Sequence, residues 1–476
     1  MKRYLYLVRG FAVLTCAVSL AACQTFSPDR GMSVTADIAG TTLNKKVISI
    51  RSEEEAAAAR AEVERLLKRP LTADTAVQIA LLNNRGLQAA YNELGIAEAV
   101  RVQQSLPPNP KFSVSRITGA VETEIERQIV ADILAIATLP MRSEIAAERF
   151  HQAQLTAALE TLRVAAESRR GFYRAVAAQE SVILFTQANS AAETMTQLAK
   201  RLGETGAMNK LDQARQQAFY SDVAVRLAGA RQRASRERER LVRALGLWGN
   251  DLKFVLPKSL PPLPKRPFAL PAVEQAAVRG RVDLQIARIE LDTLAKTYGL
   301  TNATRFINVL DAGYADKLTK DKETGERIRD RGFTVSFEVP LFDFGEARVR
   351  EAEQNYMQAV NRLAQKAVNV RSEAREAYRN YRTSYDIARH YQRDVLPLRK
   401  IISDEMMLRY GAMQVDVFTL LLEAQQKLSA NAAAADALRD FWLASTVLST
   451  AMAGGGMDSG EAPNVALPGS ADGAGH

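Results

Sequence analysis

Side chains that commonly carry chemistry are scarce in this 476-residue chain. It holds two cysteines and three histidines, and the histidines, at positions 151, 390 and 476, lack metal-ligand spacing. The sequence shows no glycine-rich phosphate loop, no histidine-based triad with a cysteine and no metal-spaced carboxylate–histidine set. We therefore expect no catalytic residue, no metal site and no cofactor, and an enzyme has no residue to rest on.

Cys23 is the one cysteine that stands in a recognisable motif. Residues 1–22 have a basic start and an apolar run too short to span a bilayer as a helix, which predicts a signal peptide. The run ends in Leu20-Ala21-Ala22-Cys23, which resembles the lipobox of bacterial lipoproteins, where the peptide is cut before an acylated cysteine. The alternative is an ordinary cut after Ala22 that leaves Cys23 free. Cys16 leaves with the peptide in either case.

Three methionines close together in sequence could also carry ligand chemistry. Met406, Met407 and Met413 fall near a predicted helix turn, and methionine sulfur is a soft ligand for copper(I). Packing at the turn is the alternative explanation. Both stay open from the sequence.

Charge and hydropathy exclude two further classes. The formal charge is +9, and removing Lys2, Arg3 and Arg9 with the signal peptide leaves +6. Basic residues alternate with acids, as in the stretch 231–240, which is typical of a solvated helix face and does not favour nucleic-acid binding. No later stretch approaches eighteen consecutive apolar residues, so no membrane-spanning helix is expected.

The elements that must position these residues occur twice in the same order. We predict a mainly helical chain with a small β part, built from two tandem repeats of helix, strand, strand, long helix and return helix. The repeats cover residues 71–256 and 272–453, and the proline-rich stretch 257–271 links them. Residues 23–70 are predicted as a lipidated polar tether with a short charged lead-in helix that ends near Pro70. Residues 454–476 are predicted to be disordered.

In the first repeat, Thr72 is the expected N-cap of a helix that stops before Pro107. Strands are expected over 111–118 and within 125–139, separated by a turn at 119–124. The stretch 135–142 then reads as a strand-to-helix join, followed by a long helix from Pro140 to Leu202. A turn at 203–208 leads into a return helix over 209–247.

In the second repeat, the short helix covers 272–300 and a strand is expected over 305–314. The stretch 317–331 is predicted as a charged loop. The strand 332–339 alternates cleanly, with Phe333, Val335 and Phe337 on one face and polar residues on the other. Gly345 opens a second long helix, kinked near Pro397, that ends at residues 411–413 before a return helix over 415–453.

The long helices carry heptad seams. In the second one, apolar and small residues recur in steps of four and three from Leu363 through Leu398 to Ile402. Sixty residues of helix measure about 90 Å at 1.5 Å per residue, too long for a compact domain. We therefore expect the helices to form a coiled-coil rod, either between hairpins of one chain or between chains.

The strands have lengths that suit tilted membrane strands. Four strands cannot close a barrel, and lipid does not tolerate open sheet edges. Strands that enter a membrane must therefore be pooled with those of other copies. A small soluble sheet that caps the coiled coil is the alternative, and the pattern alone does not decide between the two.

From residue 71 to residue 453 the chain resembles the TolC-type outer-membrane factors, and more closely their lipoprotein branch. The resemblance rests on Val339-Pro-Leu-Phe-Asp-Phe-Gly345, on the stretches 71–84, 395–398, 408–411 and 421–426, on their order, and on the lipobox. It implies a homotrimer whose twelve strands form an outer-membrane β-barrel, continued by a long α-helical barrel across the periplasm. A periplasmic adaptor protein and an inner-membrane pump would dock at the helix tips. Small molecules, metal ions or proteins would leave through this passive duct.

The resemblance also assigns roles to residues. Phe333, Val335 and Phe337 would face lipid. The adaptor-docking tips would be the two turns, whose residues are Gly203, Gly206, Ala207, Met208, Gly411, Ala412 and Met413. Asp416 and Glu423 would be candidates for the acidic pore constriction. Their alternatives are a solvated helix face for Glu423 and plain helix C-caps for the glycines. The run 411–418 also looks like members linked to copper or heavy-metal resistance.

Two rival classes make different predictions. A lipidated periplasmic adaptor would have one hairpin between the halves of a β-domain, whereas this chain predicts two hairpins and little other β-structure. A structural coiled-coil lipoprotein would form no detergent-resistant trimer and no pore.

Overall fold

The computed structural model describes residues 26–269 and 272–454. Cys23, the signal peptide predicted over 1–22 and all but the first residue of the tail predicted over 454–476 lie outside these residues. The described chain is mainly helical with one four-stranded antiparallel sheet, as the sequence predicts. None of the described helices is both long and apolar enough to cross a membrane.

The helices follow in chain order. They are α1 Met32–Leu43, α2 Glu53–Leu67, α3 Ala73–Asn83, α4 Arg85–Gln104, α5 Ile133–Ala137, α6 Leu139–Glu204, α7 Lys210–Leu245, α8 Val273–Gly280, α9 Val282–Ala303, α10 Glu346–His390, α11 Leu396–Gly411 and α12 Val417–Ala453. A π-helical segment, Tyr391–Val395, joins α10 to α11, and a 3₁₀ turn, Gly249–Leu252, follows α7. The long and return helices lie within a few residues of their predicted positions.

Side-chain caps start several of these helices. Thr72 and Thr75 form a reciprocal capping box at α3, which confirms Thr72 as the N-cap. Asn209 caps α7 by accepting from the Asp212 amide. These caps fix where α3 and α7 begin, and the cap at Asn209 thereby sets the end of the turn that precedes α7.

The chain divides into two compact units. The first contains Ala90–Ala157 and Asp283–Ala367 together with residues 26–35, and it holds the sheet. The second contains Ala36–Ala89, Ala158–Val282 and residues 368–454. Each unit draws on both predicted repeats, so the compact units do not coincide with the repeat boundaries, which stay a prediction.

In the first unit the strands are β1 Lys111–Thr118, β2 Glu122–Asp132, β3 Val309–Asp321 and β4 Arg327–Glu338. They pair in the order β1-β2-β3-β4, and every pair is antiparallel. β1 has the bounds that the sequence predicts. β2 begins inside the predicted turn, which is shortened to residues 119–121.

The sequence prediction is wrong for much of the second β-hairpin, formed by β3 and β4. β3 starts later than expected and continues through residues 317–321, and β4 begins at Arg327, so the predicted charged loop shrinks to residues 322–326. Cross-strand ion pairs explain the error. Lys317 Nζ lies 2.7 Å from Glu124 Oε1, and Arg329 forms a salt bridge with Asp316. Charged residues that pair across a sheet extend strands that composition alone assigns to a loop.

The two strand-to-helix joins are built differently, contrary to the prediction that they match. After β2, Asp132 accepts from the Ala135 amide and caps the short helix α5, so residues 135–137 are helical rather than extended. After β4, the chain turns at Phe344 and Gly345, which have φ of 49° and 72°. A Cβ at Gly345 would overlap the Arg305 carbonyl oxygen, so glycine is needed there.

The heptad seam of the second long helix holds only in part. Val370, Ala374, Ala377, Tyr381 and Ala388 are buried, as predicted. Beyond the π-helical segment, Leu398 and Ile402 are exposed instead, and Arg399 and Ser403 contact α12.

The π-helical segment gives the physical reason for this shift. It ends with a hydrogen bond from the Leu396 amide to the Tyr391 carbonyl, and Leu396 directly precedes Pro397, which lacks an N–H. A π-turn contains one residue more than an α-turn, so the face toward α12 moves one position along the chain. The kink predicted near Pro397 thus takes the form of a π-turn just before it.

The core of the second unit also holds the proline-rich linker. Tyr381, Tyr385 and Phe441 pack together, and Tyr173 stacks on Trp442 at a centroid distance of 5.3 Å. Trp442 Nε1 donates to the Pro261 carbonyl at 2.9 Å, and Tyr385 Oη donates to the Pro264 carbonyl at 3.1 Å. The linker is therefore tied to the helices rather than free.

The predicted tether is more structured than expected. Helix α1 lies within it, and Thr35 and Ala39 are buried. Ser27 is anchored by its amide, which donates to Glu98 Oε1 at 2.7 Å. The charged lead-in helix is confirmed as α2, capped by Ser52.

Candidate functional site

One face of the sheet is apolar over several rows of side chains. Strand pairing aligns Phe112, Ile129, Tyr314 and Phe333 in one row, Ala131, Ala312 and Val335 in the next, and Leu310 and Phe337 in the third. We call this the apolar face. The rings of Tyr314 and Phe333 meet edge to face with centroids 5.5 Å apart.

The apolar face is uncovered in the single chain. Phe333, Val335 and Phe337, the residues predicted to face lipid, are 88%, 63% and 65% exposed. Large apolar side chains that share a face and remain this exposed indicate a surface that meets lipid or another protein. Phe342, in the turn after β4, is fully exposed as well.

The opposite face of the sheet is polar and strongly acidic. We call it the polar face. Its acids are Glu122, Glu124, Glu126, Asp132, Asp311, Asp321, Asp330 and Glu338, and its bases are Lys111 and Lys317. Asp132 and Asp311 stand directly opposite each other. Thr334 and Ser336 lie on this face, as the alternation in the sequence predicts.

The sheet has two open edges among the described residues. β1 pairs only with β2, and β4 pairs only with β3. The outer edges of β1 and β4 thus present unpaired backbone groups, which can pair with strands of another chain. A two-faced sheet with both edges open is the arrangement that barrel assembly from several copies requires.

The tip between α6 and α7 is a tight turn. Gly206 has φ of 78°, and the Ala207 and Met208 amides both donate to the Leu202 carbonyl, at 2.8 and 3.2 Å. Gly203 packs against the Gln213 side chain. The turn predicted here is confirmed, while adaptor docking at it stays a prediction.

The tip between α11 and α12 is also a tight turn, but its left-handed residue is not a glycine. Gly411 is the last helical residue, and the Ala412 amide donates to the Leu408 carbonyl at 3.0 Å. The left-handed position falls on Met413, which has φ of 57° and is 95% exposed. A left-handed conformation is strained for a non-glycine residue. Met407 is exposed too and Met406 is half-buried, and copper ligation by these methionines stays a hypothesis.

Asp416, one of the two candidate constriction acids, is the N-cap of α12. Its Oδ1 accepts from the Thr419 amide at 2.8 Å and from the Thr419 hydroxyl at 2.5 Å. The hydroxyl and amide of Thr419 lower the pKa of Asp416 below its usual value. The residue therefore has a structural role that does not depend on a pore.

Glu423, the other candidate, is buried inside the second hairpin. Its Oε2 lies 3.3 Å from Arg399 Nη1, which also donates to Gln426 Oε1 at 2.6 Å. The Glu423 side chain is only 7% exposed, and its Oε1 has no hydrogen-bond partner among the described residues. Within one chain Glu423 thus faces Arg399, so the solvated helix face suggested for it is wrong. Its part in a constriction stays a prediction.

Sequence reasoning missed Arg399 and the charge pattern of the sheet. The charge pattern of the sheet could have been found from the alternation in Arg327-Ile-Arg-Asp-Arg331, because residues two apart share one face of a strand. No comparable signal marked Arg399. Across the part of the chain that the structure describes, no group of three His, Cys, Asp or Glu side chains could hold a metal ion.

Comparison with known proteins gives a consistent picture. Residues 273–403 match the model of the outer membrane efflux protein family. The cobalt-zinc-cadmium resistance protein CzcC of Cupriavidus metallidurans is 24% identical over 286 residues, which are 60% of this chain. That alignment spans 66% of CzcC, just under two thirds of its length.

Solved structures share the fold. CusC, whose structures are described as showing transmembrane channel formation, aligns with a TM-score of 0.67 and 17% identity over 80% of this chain and 92% of its own. The outer-membrane channel OprN aligns with a TM-score of 0.65 and 19% identity over 82% of this chain and 92% of its own. At these identities the likeness concerns the fold.

Proposed function

We propose that this chain is a TolC-type outer-membrane factor, the outer-membrane channel of a tripartite efflux or type I secretion-like system; the family-model match over residues 273–403, the likeness to CzcC and the shared fold of CusC and OprN support this. Three copies pool their strands into a twelve-stranded β-barrel. Each copy also contributes two helical hairpins, one from each repeat, and these continue the barrel as an α-helical barrel. The duct is passive. A pump in the inner membrane supplies the energy, and a periplasmic adaptor joins the pump to the helix tips.

The observation that carries this proposal is the sheet. It exposes an apolar face and a polar face, and both of its edges are open. Unpaired backbone groups cannot remain in a hydrocarbon layer, so a membrane-embedded sheet of four strands must close with other copies. Closure of three sheets pairs the edge of β1 with the edge of β4 in the neighbouring copy. The apolar face then meets lipid and the polar face lines the lumen.

The charge of the polar face bears on what passes. Eight acids against two bases on this face favour cations over anions inside a narrow duct. The relative CzcC is named for cobalt, zinc and cadmium resistance. Small organic cations and metal ions are therefore the substrates that we propose, among the wider range of small molecules.

The anchoring and docking assignments belong to the same proposal. Acylated Cys23 holds the chain in the outer membrane, and the segment behind it is fixed by Ser27 on Glu98. The tips at Gly203, Gly206, Ala207 and Met208 and at Gly411, Ala412 and Met413 receive the adaptor. Both tips end in ordered turns, which supports a docking role, because a preformed surface loses little entropy on binding.

The proposal is tested by purifying the mature protein from outer membranes in detergent. Native mass spectrometry is expected to give three copies, and insertion into a planar bilayer is expected to give discrete, long-lived conducting steps. Deleting residues 305–339 removes β3 and β4 and should abolish both. A protein that extracts without detergent once Cys23 is replaced, stays monomeric and never conducts would reject the channel.

A further inference from the structure

The apolar face changes character toward the hairpin loops. Beyond the row of Tyr314 and Phe333, the next three rows of the same face carry six bases among twelve side chains, with Val114, Ile125 and Leu318 between them. The basic side chains are Arg116, Arg127, Lys320, Arg327, Arg329 and Arg331, and Asp316 is the one acid among them. We call this set the basic rows.

The polar face has the opposite sign at the same height of the sheet. Its acids there are Glu122, Glu124, Glu126, Asp321 and Asp330, and its base is Lys317. The charge is therefore sorted by face rather than mixed. A solvated loop or a soluble sheet meets the same solvent on both sides and does not require such sorting. A sheet whose two faces meet different environments does.

Asp316 organises part of the basic rows. Arg329 Nε donates to Asp316 Oδ1 at 2.7 Å, and Arg331 Nε lies 3.9 Å from the same oxygen. Asp316 is only 13% exposed, while Arg329 and Arg331 are 48% and 57% exposed. The carboxylate thus orients the Arg329 guanidinium by hydrogen bonding and attracts that of Arg331 across a longer distance, while both guanidinium groups stay about half exposed and accessible to an anion.

The basic rows begin where the apolar rows end. Arg331 precedes Phe333 by two residues, which is about 7 Å along a strand. From Phe337 to Phe333 the apolar rows cover about 14 Å of strand. Apolar rows followed by cationic rows on one face match the sequence of environments from hydrocarbon to headgroup in a membrane leaflet.

We propose that the basic rows bind the phosphate groups of anionic lipid headgroups in the leaflet on the side of the hairpin loops. This inference rests on the proposed function, which turns the apolar face toward lipid. Planar guanidinium groups donate two parallel hydrogen bonds to a phosphate, which suits arginine better than lysine. Five of the six bases are arginines.

A lipid is favoured over a soluble anion because the rows are continuous with the apolar face. A lipid that places its phosphates on the arginines lays its acyl chains along Phe333, Val335 and Phe337. A free phosphate ion gains nothing from those side chains. The apolar and basic rows are thus two halves of one binding surface for an amphiphile.

The test uses the full mature protein in neutral detergent and purified lipid A carrying two phosphates as the probe. Binding is measured by titrating the lipid against the melting temperature and by native mass spectrometry. Lipid A is expected to raise the melting temperature of the wild type. The double variant Arg127→Gln/Arg331→Gln should bind it roughly thirtyfold more weakly.

Two further variants keep the result unambiguous. Lys111→Gln/Lys317→Gln removes the same charge from the polar face and should bind lipid A like the wild type. Arg127→Lys/Arg331→Lys keeps the charge but loses the planar fork, and it should bind with intermediate strength. It serves in place of the glutamine variant if that protein melts markedly lower without lipid.

The outcomes separate the lipid contact from the channel. Unchanged lipid A binding by the glutamine variant, or an equal effect of inorganic phosphate at the same concentration, would overturn the proposal. Lipid A binding that depends on these arginines in a protein that never conducts would support the lipid contact and reject the channel.

Discussion

Arg399 on α11 meets Glu423 on α12 inside the second hairpin, with 3.3 Å between Nη1 and Oε2. Both side chains lie on the faces that the two helices turn toward each other, where a heptad seam normally places apolar residues. The π-helical segment before α11 brings Arg399 to this position and leaves Leu398 exposed. A charge pair with Glu423 buried and Arg399 partly exposed therefore contributes to holding this end of the hairpin.

Replacing Arg399 by leucine should loosen this hairpin. It leaves Glu423 buried without its cation, and because Arg399 is 31% exposed we expect a loss of about 1 to 3 kcal/mol rather than the full cost of a dry ion pair. Hydrogen exchange of the α11 and α12 amides measures the change. Arg409→Leu is the matched control, because the Arg409–Glu405 pair on the same helix is solvent-exposed and contributes little. Equal protection in both variants would show that the buried pair has no special role.

Neighbouring residues on β4 test which face meets lipid. Val335 lies on the apolar face and Ser336 on the polar face. Val335→Arg should lower the stability of the membrane-inserted protein by about 2 to 4 kcal/mol, because a lipid-facing arginine loses its hydration. Ser336→Arg should assemble nearly normally. The amount of trimer in outer-membrane fractions measures both, and equal loss in the two variants would contradict the assignment of faces.

The acidic polar face predicts cation selectivity. Glu126→Gln combined with Asp330→Asn removes two negative charges per copy from this face. The permeability ratio of potassium to chloride, taken from reversal potentials in a salt gradient, should fall by at least about twofold. Lys320→Gln changes a charge on the other face and should leave the ratio unchanged. A permeability ratio that changes in the Lys320→Gln variant but not in the Glu126→Gln/Asp330→Asn variant would mean that the faces are reversed.

The turn after β4 needs glycine at one position. Gly345→Ala places a Cβ against the Arg305 carbonyl at a φ of 72°, and we expect a loss of about 2 kcal/mol or more. Gly332→Ala, within β4 itself, has open space around it and should change stability by less than about 1 kcal/mol. Thermal melting of the two purified variants gives the comparison. Similar melting temperatures would show that the turn tolerates a side chain.

Lipidation of Cys23 has a direct readout. Cys23→Ser should remove the mass of the acyl chains from the mature protein, while Cys16→Ser should leave the mass unchanged because Cys16 departs with the signal peptide. The strands should keep the Cys23→Ser protein in the outer membrane. An unmodified Cys23 in the wild-type protein would favour the ordinary signal-peptide cut instead.

Periodicity predicts the elements whose ends are marked by turns or caps and fails where charged residues obscure the end of a strand. β1, α6 and α12 lie where their patterns place them, because turns and caps such as Asn209 mark their ends. β3 and β4 extend beyond prediction because their charged residues pair across strands rather than mark a loop. Side-chain alternation still assigned Phe333 and Ser336 to opposite faces.

The partner of Glu423 could not be predicted for a different reason. A heptad read from the sequence assumes an unbroken α-helix, and a single π-turn moves every later residue to a new face. Pro397 announces an irregularity but not its kind. The positive φ of Met413 could not be predicted either. The left-handed residue of the other tip is a glycine, Gly206, so glycine and not methionine was the residue expected there.

Single-channel recording in a planar bilayer tests directly whether the protein is a channel. We expect discrete, cation-selective conducting steps for the wild type, conducting steps for Ser336→Arg, and no steps for Val335→Arg. A wild-type protein that binds the bilayer through its lipid anchor but gives no current at any protein concentration would contradict this expectation.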